Sequence, residues 1–491
     1  MPSIFSRRPA SILVPLTGIL SLAAVLRLGA MRTEFWLDEI WSWEFARAAA
    51  SPWEIVAGAE QHHDNNHKLN TLFLWLYPSG ASWVTYRSHS LAAGLASVAL
   101  AALLGLRRGR AEAIFVSLLF ATNYWLVLCS AEARGYALAV LFALAAFSSL
   151  QGYLTAVPPT GRRIPLVLFW LSAILGFLAH LTFLHCYLAL GLWSLYCGAR
   201  SGLSRRDEIR HLLACHLVPC LFFFVLFWVD IRSMKFGGGP VQPTSLVLGR
   251  LLGLGLGVAP SSAARMAATI FAALTLAIGL RRLAREDQRL GVFFAAAIVG
   301  SPALFLLGKP AYLFERYFLI PFVFFLLLLG FVLGALWRHS RAGACVAAVI
   351  SLAVAGGGTA QVLAFERGGR GHVLDALAYI ERRSPSEGAT VCGDFDFRVA
   401  KCYRFHAAYL RTQKRLVYCE QKDLPPHGAD WLLTHRSDAG SPLHDEMLDV
   451  RDNVYRRVED FPAAEFGGWS WHVYRKREVP VGHDAQRNSS R

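Results

Sequence analysis

Charged residues are sparse in this chain: Asp, Glu, Lys and Arg make up 17% of 491 residues, against 55% hydrophobic residues and a mean hydropathy of +0.39. That balance excludes a soluble enzyme and describes a polytopic membrane protein with an appended polar part. Acids are scarcer still, 34 against 49 Lys and Arg, which leaves a net charge of +15. The excess of base does not indicate a nucleic-acid partner, because the arginines gather in short loops between apolar segments, as orientation in a bilayer requires. Cysteine is little used, and no cysteine spacing resembles a zinc site. Most of the nine lie in or beside apolar runs, where a thiol packs as a small hydrophobe. Cys392, Cys402 and Cys419 fall in the polar C-terminal part, where an oxidising compartment could pair two and leave one over. No internal repeat or low-complexity tract is visible.

What the sequence has in abundance is long apolar runs. Segments of spanning length lie at about 10–32, 88–106, 112–129, 135–156, 164–181, 182–199, 211–231, 262–281, 290–308, 317–337 and 343–364, eleven in all. The first follows Arg7 and Arg8 but is too long for a signal peptide and lacks a cleavage site, so an uncleaved helix is expected. The least secure boundary is Ala179-His180-Leu181-Thr182, which reads either as a hairpin tip or as the middle of one long helix.

Arg107-Arg108, Arg162-Arg163, Arg205-Arg206, Arg281-Arg282 and Arg338 fall in alternate connections, which assigns that side to the cytoplasm. The N-terminus is then cytoplasmic, and residues 33–87, 130–134, 232–261, 309–316 and everything after 364 lie outside. The expected organisation is a transmembrane catalytic domain over 1–364 with an outer loop at 33–87, a soluble extracytoplasmic α/β domain over 365–478, and a disordered tail over 479–491. Short β-prone runs at Ala389–Cys392, Arg415–Tyr418, Trp431–Thr434 and Trp469–Tyr474, with a helix at His372–Arg383, carry the α/β expectation.

Four polar motifs share the outer side. Leu37-Asp38-Glu39 follows the first span, and ionisable groups at that depth are expensive and usually functional. His62-His63-Asp64-Asn65-Asn66-His67-Lys68 precedes the apolar Thr71–Tyr77, which reads as a loop descending onto an interfacial helix. Glu132-Ala133-Arg134-Gly135-Tyr136 and Lys309 to Tyr317 complete the set. Each has a plainer reading, as a helix cap, a solvated turn or an interfacial anchor. The histidines beside Asp64 make a divalent cation a candidate, although loop histidines next to acids are more often hydrogen-bonded.

In their order and common side these motifs resemble the GT-C membrane glycosyltransferases. The similarity is to the branch of dolichyl-phosphate-mannose protein mannosyltransferases and the bacterial aminoarabinose transferase of lipid A, and it covers about residues 10–340. That family usually has proline after the histidine of the first loop; here Lys68-Leu69-Asn70 follows and adds a cation where a lipid phosphate could bind. The resemblance implies a helical GT-C-like membrane fold. It also implies transfer of a sugar from a polyprenyl-phosphate carrier to a lipid, glycan or protein acceptor, on the outer face of the cytoplasmic membrane, with no obligatory cofactor. The C-terminal part is variable in that family and carries no transferable role.

The residues suit that chemistry independently. Transfer requires a base for the acceptor hydroxyl and cations for the departing phosphate. Asp38 is the expected base, with Glu39 and Asp64 as further catalytic candidates, and displacement from the back face would invert the anomeric carbon. His67, Lys68, Glu132, Arg134, Tyr136, Lys309, Glu315, Arg316 and Tyr317 are expected to contact substrate, with Arg134 and Arg316 forking onto phosphate. A transporter or flippase of a lipid-linked substrate is the alternative, but its ionisable groups would be expected at mid-bilayer in broken helices. A non-catalytic membrane scaffold is a third reading, which the intact Asp38 disfavours.

Overall fold

Apolar runs fold as helices in hydrocarbon because each backbone N–H and C=O must find its partner within the same segment. The computed structural model describes residues 10–57, 66–155, 159–234, 241–410, 414–436, 443–464 and 467–477. Among these, nine helices are long and apolar enough to span a bilayer, from Ile12–Ala30 to the run beginning at Arg341, and the chain is a multi-pass membrane protein. A tenth span forms if Arg110–Thr122 and Tyr124–Ser130, bent by 60°, are taken together. Helix Arg163–Ala179 is shorter, at 17 residues. The expected count of eleven is thus approximate.

The 60° bend has no proline or glycine behind it. Asn123 leaves helical geometry, accepts from the Leu126 N–H at 3.2 Å, and donates its amide to the Gly255 carbonyl at 2.7 Å. At Ala179–Leu181 the run is broken and not one long helix: His180 is extended (φ −170°, ψ 141°) and separates helix Arg163–Ala179 from a short 3₁₀ turn at Leu181–Phe183.

The chain divides into two units, Met1–Arg32 with Trp41–Leu363, and Thr33–Ile40 with Ala364–Arg491. In the first, helix Leu319–His339 is the core: residues 319–335 are all buried. Gly330 and Gly334 admit Val116 and Glu112 so closely that a Cβ at either would collide, the close approach that small residues permit between membrane helices. The basic connections meet one another at one end, where Arg338 pairs with Glu112, Arg108 reaches Glu286 at 2.5 Å, and Arg107 donates to Ser148 and Gln151. Lys68 and Asp230, from the outer motifs and the far end of helix Arg205–Val229, meet at 2.7 Å.

The second unit is a six-stranded sheet: β1 Ala389–Gly393, β2 Leu416–Tyr418, β3 Trp431–Arg436, β4 Glu446–Leu448, β5 Val454–Phe461 and β6 Ser470–Lys476, in the order β2-β1-β3-β6-β5-β4. β1 runs parallel to β2 and β3, and the remainder is antiparallel. Helix Val373–Arg383 buries Val373, Ala376, Leu377 and Ile380, an i, i+3, i+4, i+7 stripe. Helix Asp396–Ala407 and strands β4 and β5 were not anticipated from sequence. All nine cysteines are free thiols, so no pair forms among Cys392, Cys402 and Cys419; Cys392 instead packs in the core with Leu432, Tyr455 and Tyr474.

Candidate functional site

Tyr136, at the first turn of helix Tyr136–Thr155 and 2% exposed, is the hub of several of these polar motifs in the first unit. The rings of His67 and His180 lie 5.0 and 4.4 Å from its centroid and 4.4 Å from each other. The guanidiniums of Arg134 and Arg316 lie over the same ring at 5.8 and 6.0 Å, distances at which cation–π attraction operates. Segments far apart in sequence are thus brought to one place, and four of the expected residues, His67, Arg134, Tyr136 and Arg316, are among them.

Gly135 makes this approach possible. Its N–H donates to His67 Nδ1 at 3.1 Å, and a Cβ there would fall within the carbonyl of Ala179. His67 is 1% exposed, and burial, with the charge of Arg134 next, holds its imidazole well below the usual histidine range. His180 is equally buried, and its Nδ1 accepts from the Thr182 N–H at 3.0 Å. The Nε2 atoms of both are buried without a hydrogen-bond partner among the described residues.

The other expected contacts are distributed around this cluster. Lys68 opens helix Lys68–Leu76, pairs with Asp230, and points a weak 3.4 Å contact at the Ile55 carbonyl. Burial lowers the lysine's pKa and Asp230 acts against that. Glu132 is buried at 5% exposure. Glu315 lies 3.8 Å from Arg250, and Arg316 also packs its guanidinium on Phe314 at 5.0 Å. Tyr317 stands edge-on to Phe314 and Phe305. Lys309 is exposed just past helix Ser301–Leu307, with a left-handed φ of 49°. His62, His63 and Asp64 lie outside the described residues, so the cation candidate built on them has no geometry here.

Asp38 and Glu39 belong to the second unit. They sit in the first turn of helix Leu37–Ala48, where negative charge complements the helix dipole. Glu39, fully buried, accepts from the Trp36 N–H at 3.3 Å, the reach-back of a capping box. The residues just before them are held within the same unit: Phe35 stacks on Phe405 at 5.3 Å, Arg370 lies over Trp36 at 5.3 Å, and Glu34 accepts from the Leu374 N–H at 3.1 Å. Burial raises the Glu34 carboxyl to about 7. One group among the described residues has metal-ligand spacing, Glu34, His372 and Asp375, with ligand atoms within 4.8 Å of one another.

Sequence reasoning did not assign His180 to the site. Its signal was a lone histidine at a break between apolar runs, a residue type that enters such a position at a cost unless something there uses it.

No family model and no curated protein sequence matches the chain. Two solved structures of ArnT from Cupriavidus metallidurans do. The apo form gives a TM-score of 0.51 at 13% identity, covering 93% of this chain and 97% of that one. The form bound to undecaprenyl phosphate gives 0.52 at 14%, covering 95% and 98%. Over almost its whole length, this chain has the fold of these two ArnT structures.

Proposed function

We propose that the protein is a membrane glycosyltransferase that takes a sugar from a polyprenyl-phosphate carrier. The observation that carries this reading is the cluster on Tyr136, where Arg134, Arg316, His67 and His180 gather cationic and N–H donor groups in a largely buried setting. Such groups are worth most in a water-poor site, where charge developing on a leaving phosphate is met by fixed donors. The ArnT structure bound to undecaprenyl phosphate supports a carrier of that class.

In this reading Asp38 accepts the proton of the acceptor hydroxyl as that oxygen attacks the anomeric carbon. The bond from that carbon to the phosphate oxygen breaks, its electron pair stays on the phosphate, and the configuration inverts. Glu39 shapes the helix start. Lys68, held by Asp230, adds positive charge near the phosphate, and Glu132 and Glu315 orient the arginines. No general acid is obligatory, because phosphate is already a good leaving group, and a divalent cation is an optional addition. The acceptor, a lipid, glycan or protein, meets the donor at the outer face of the cytoplasmic membrane, with the C-terminal unit on that side.

Mass spectrometry of surface glycolipids and glycoproteins, with and without the protein, tests the reading: a sugar modification missing in its absence is expected, and an unchanged profile would count against it. A flippase is the second reading. It would leave the sugar attached to its carrier, so transfer by purified protein in micelles excludes it.

A further inference from the structure

The hydrogen bonds of His67 and His180 fix their protons. In each ring Nδ1 accepts from a backbone N–H, that of Gly135 at 3.1 Å and that of Thr182 at 3.0 Å. A nitrogen that accepts carries no proton, so each imidazole is neutral with its hydrogen on Nε2. Both Nε2 atoms are buried and have no acceptor among the described residues. A buried donor left unsatisfied costs about as much as a lost hydrogen bond, and two adjacent ones, their rings 4.4 Å apart, indicate a missing acceptor. The neighbours that share Tyr136 with them, Arg134 and Arg316, are donors too. A partner that offers several acceptor oxygens suits this set of donors.

We propose that His67 and His180 donate their Nε2–H groups to the phosphate oxygens of the departing carrier, so that the site binds the phosphate monoester more tightly than the sugar phosphodiester. This rests on the function proposed above. When the carbon–oxygen bond to the sugar breaks, the bridging oxygen keeps the electron pair, and the carrier passes from a monoanionic diester toward a dianionic monoester. Neutral N–H donors add hydrogen bonds that strengthen as that charge grows, beside two guanidiniums whose attraction rises with it. Such a site favours the later state, which is the direction that accelerates transfer.

The test is isothermal titration of the full-length protein in detergent micelles with farnesyl phosphate, its methyl diester and inorganic phosphate. Wild type is expected to prefer the monoester. His67→Asn and His180→Asn place an amide oxygen where Nδ1 was, retaining the bonds from Gly135 and Thr182, and remove only the second donor. Each is expected to weaken monoester binding about tenfold or more and diester binding much less. Equal losses for both esters, or folded variants that bind the monoester like wild type, would overturn the inference and leave the proposed function standing. Wild type that binds neither ester overturns the function and the inference with it. Inorganic phosphate binding as tightly as farnesyl phosphate would overturn the assignment to a lipid carrier. Should either variant fail to fold, ¹⁵N-histidine spectra of wild type decide: Nε2–H resonances that move downfield on adding farnesyl phosphate support the inference, and unmoved ones overturn it.

Discussion

Gly135 gives its backbone N–H to His67 Nδ1 at 3.1 Å, joining the loop after Ser130 to the end of the long outer loop. Any side chain at 135 would meet the Ala179 carbonyl, a backbone atom that cannot swing aside. Gly135→Ala is therefore expected to destabilise the protein by about 1–3 kcal/mol or more and to lower activity with it. Thermal unfolding in micelles measures the first; a wild-type midpoint would show that the loop has room.

Asp38 and Glu39 are adjacent but separable. Asp38→Asn keeps shape and loses the proposed base, and is expected to reduce turnover at least about 10²-fold with an unchanged unfolding midpoint. Glu39→Gln retains an acceptor for the Trp36 N–H and gives up only charge at a helix N-terminus, about 0.3–1 kcal/mol. Its turnover should stay near wild type. A reversed ranking in a sugar-transfer assay would move the base to Glu39.

Lys68 and Asp230 form a buried pair at 2.7 Å, 5% and 8% exposed at the side chain. Removing one partner strands a buried charge, so Lys68→Met or Asp230→Asn should each cost about 3–5 kcal/mol. The double variant should recover much of that loss. Additive losses in a double-mutant cycle would mean that the two residues do not depend on each other.

The proposed orientation rests on the arginine-rich connections and is tested by cysteine labelling with an impermeant reagent in cells stripped of any outer barrier. A cysteine at Val241, 81% exposed, should react and one at Gly161 should not. Labelling at Gly161 alone would turn the site toward the cytoplasm, where nucleotide sugars become plausible donors.

Glu34 is held at about 7 against an ordinary 4.5. Between those values the folded protein keeps a proton that the unfolded chain has lost. Its stability is accordingly highest below the window, falls as pH rises through it, and is level above, a span of up to about 3 kcal/mol. Glu34→Gln should remove that decline and be the more stable protein at pH 8. Unfolding midpoints from pH 4.5 to 8 that show the same slope in both proteins would place the titration elsewhere.

The membrane spans were legible because their signal is local: an apolar run of sufficient length has few other destinies. The same holds for helix Lys68–Leu76, and for β1, β2, β3 and β6, whose apolar residues cluster. β5 was not, since Val-Tyr-Arg-Arg-Val-Glu-Asp-Phe offers one fully buried residue, Tyr455, and borrows its order from β6. The bend at Asn123 was hidden because an asparagine supplies it through a bond to Gly255, a residue distant in sequence. Of the residues gathered on Tyr136, Arg134 and Arg316 were identifiable in the sequence by residue type. His180 was not, because only the folded chain brings its ring to Tyr136 and His67.

Thr33–Ile40 is grouped with the C-terminal unit although it follows the first membrane helix directly. The chain thus lends that unit a short strip bearing Glu34, Phe35 and Asp38 and then takes it back within one helix, Leu37–Ala48. A chimera cut at residue 364 alone would split a folding unit, leaving Phe35 without Phe405 and the Leu374 amide without Glu34. Any exchange of the C-terminal part between relatives has to carry this strip with it. The region that sequence alone presents as an appendage is inherited together with the acid proposed to begin the reaction.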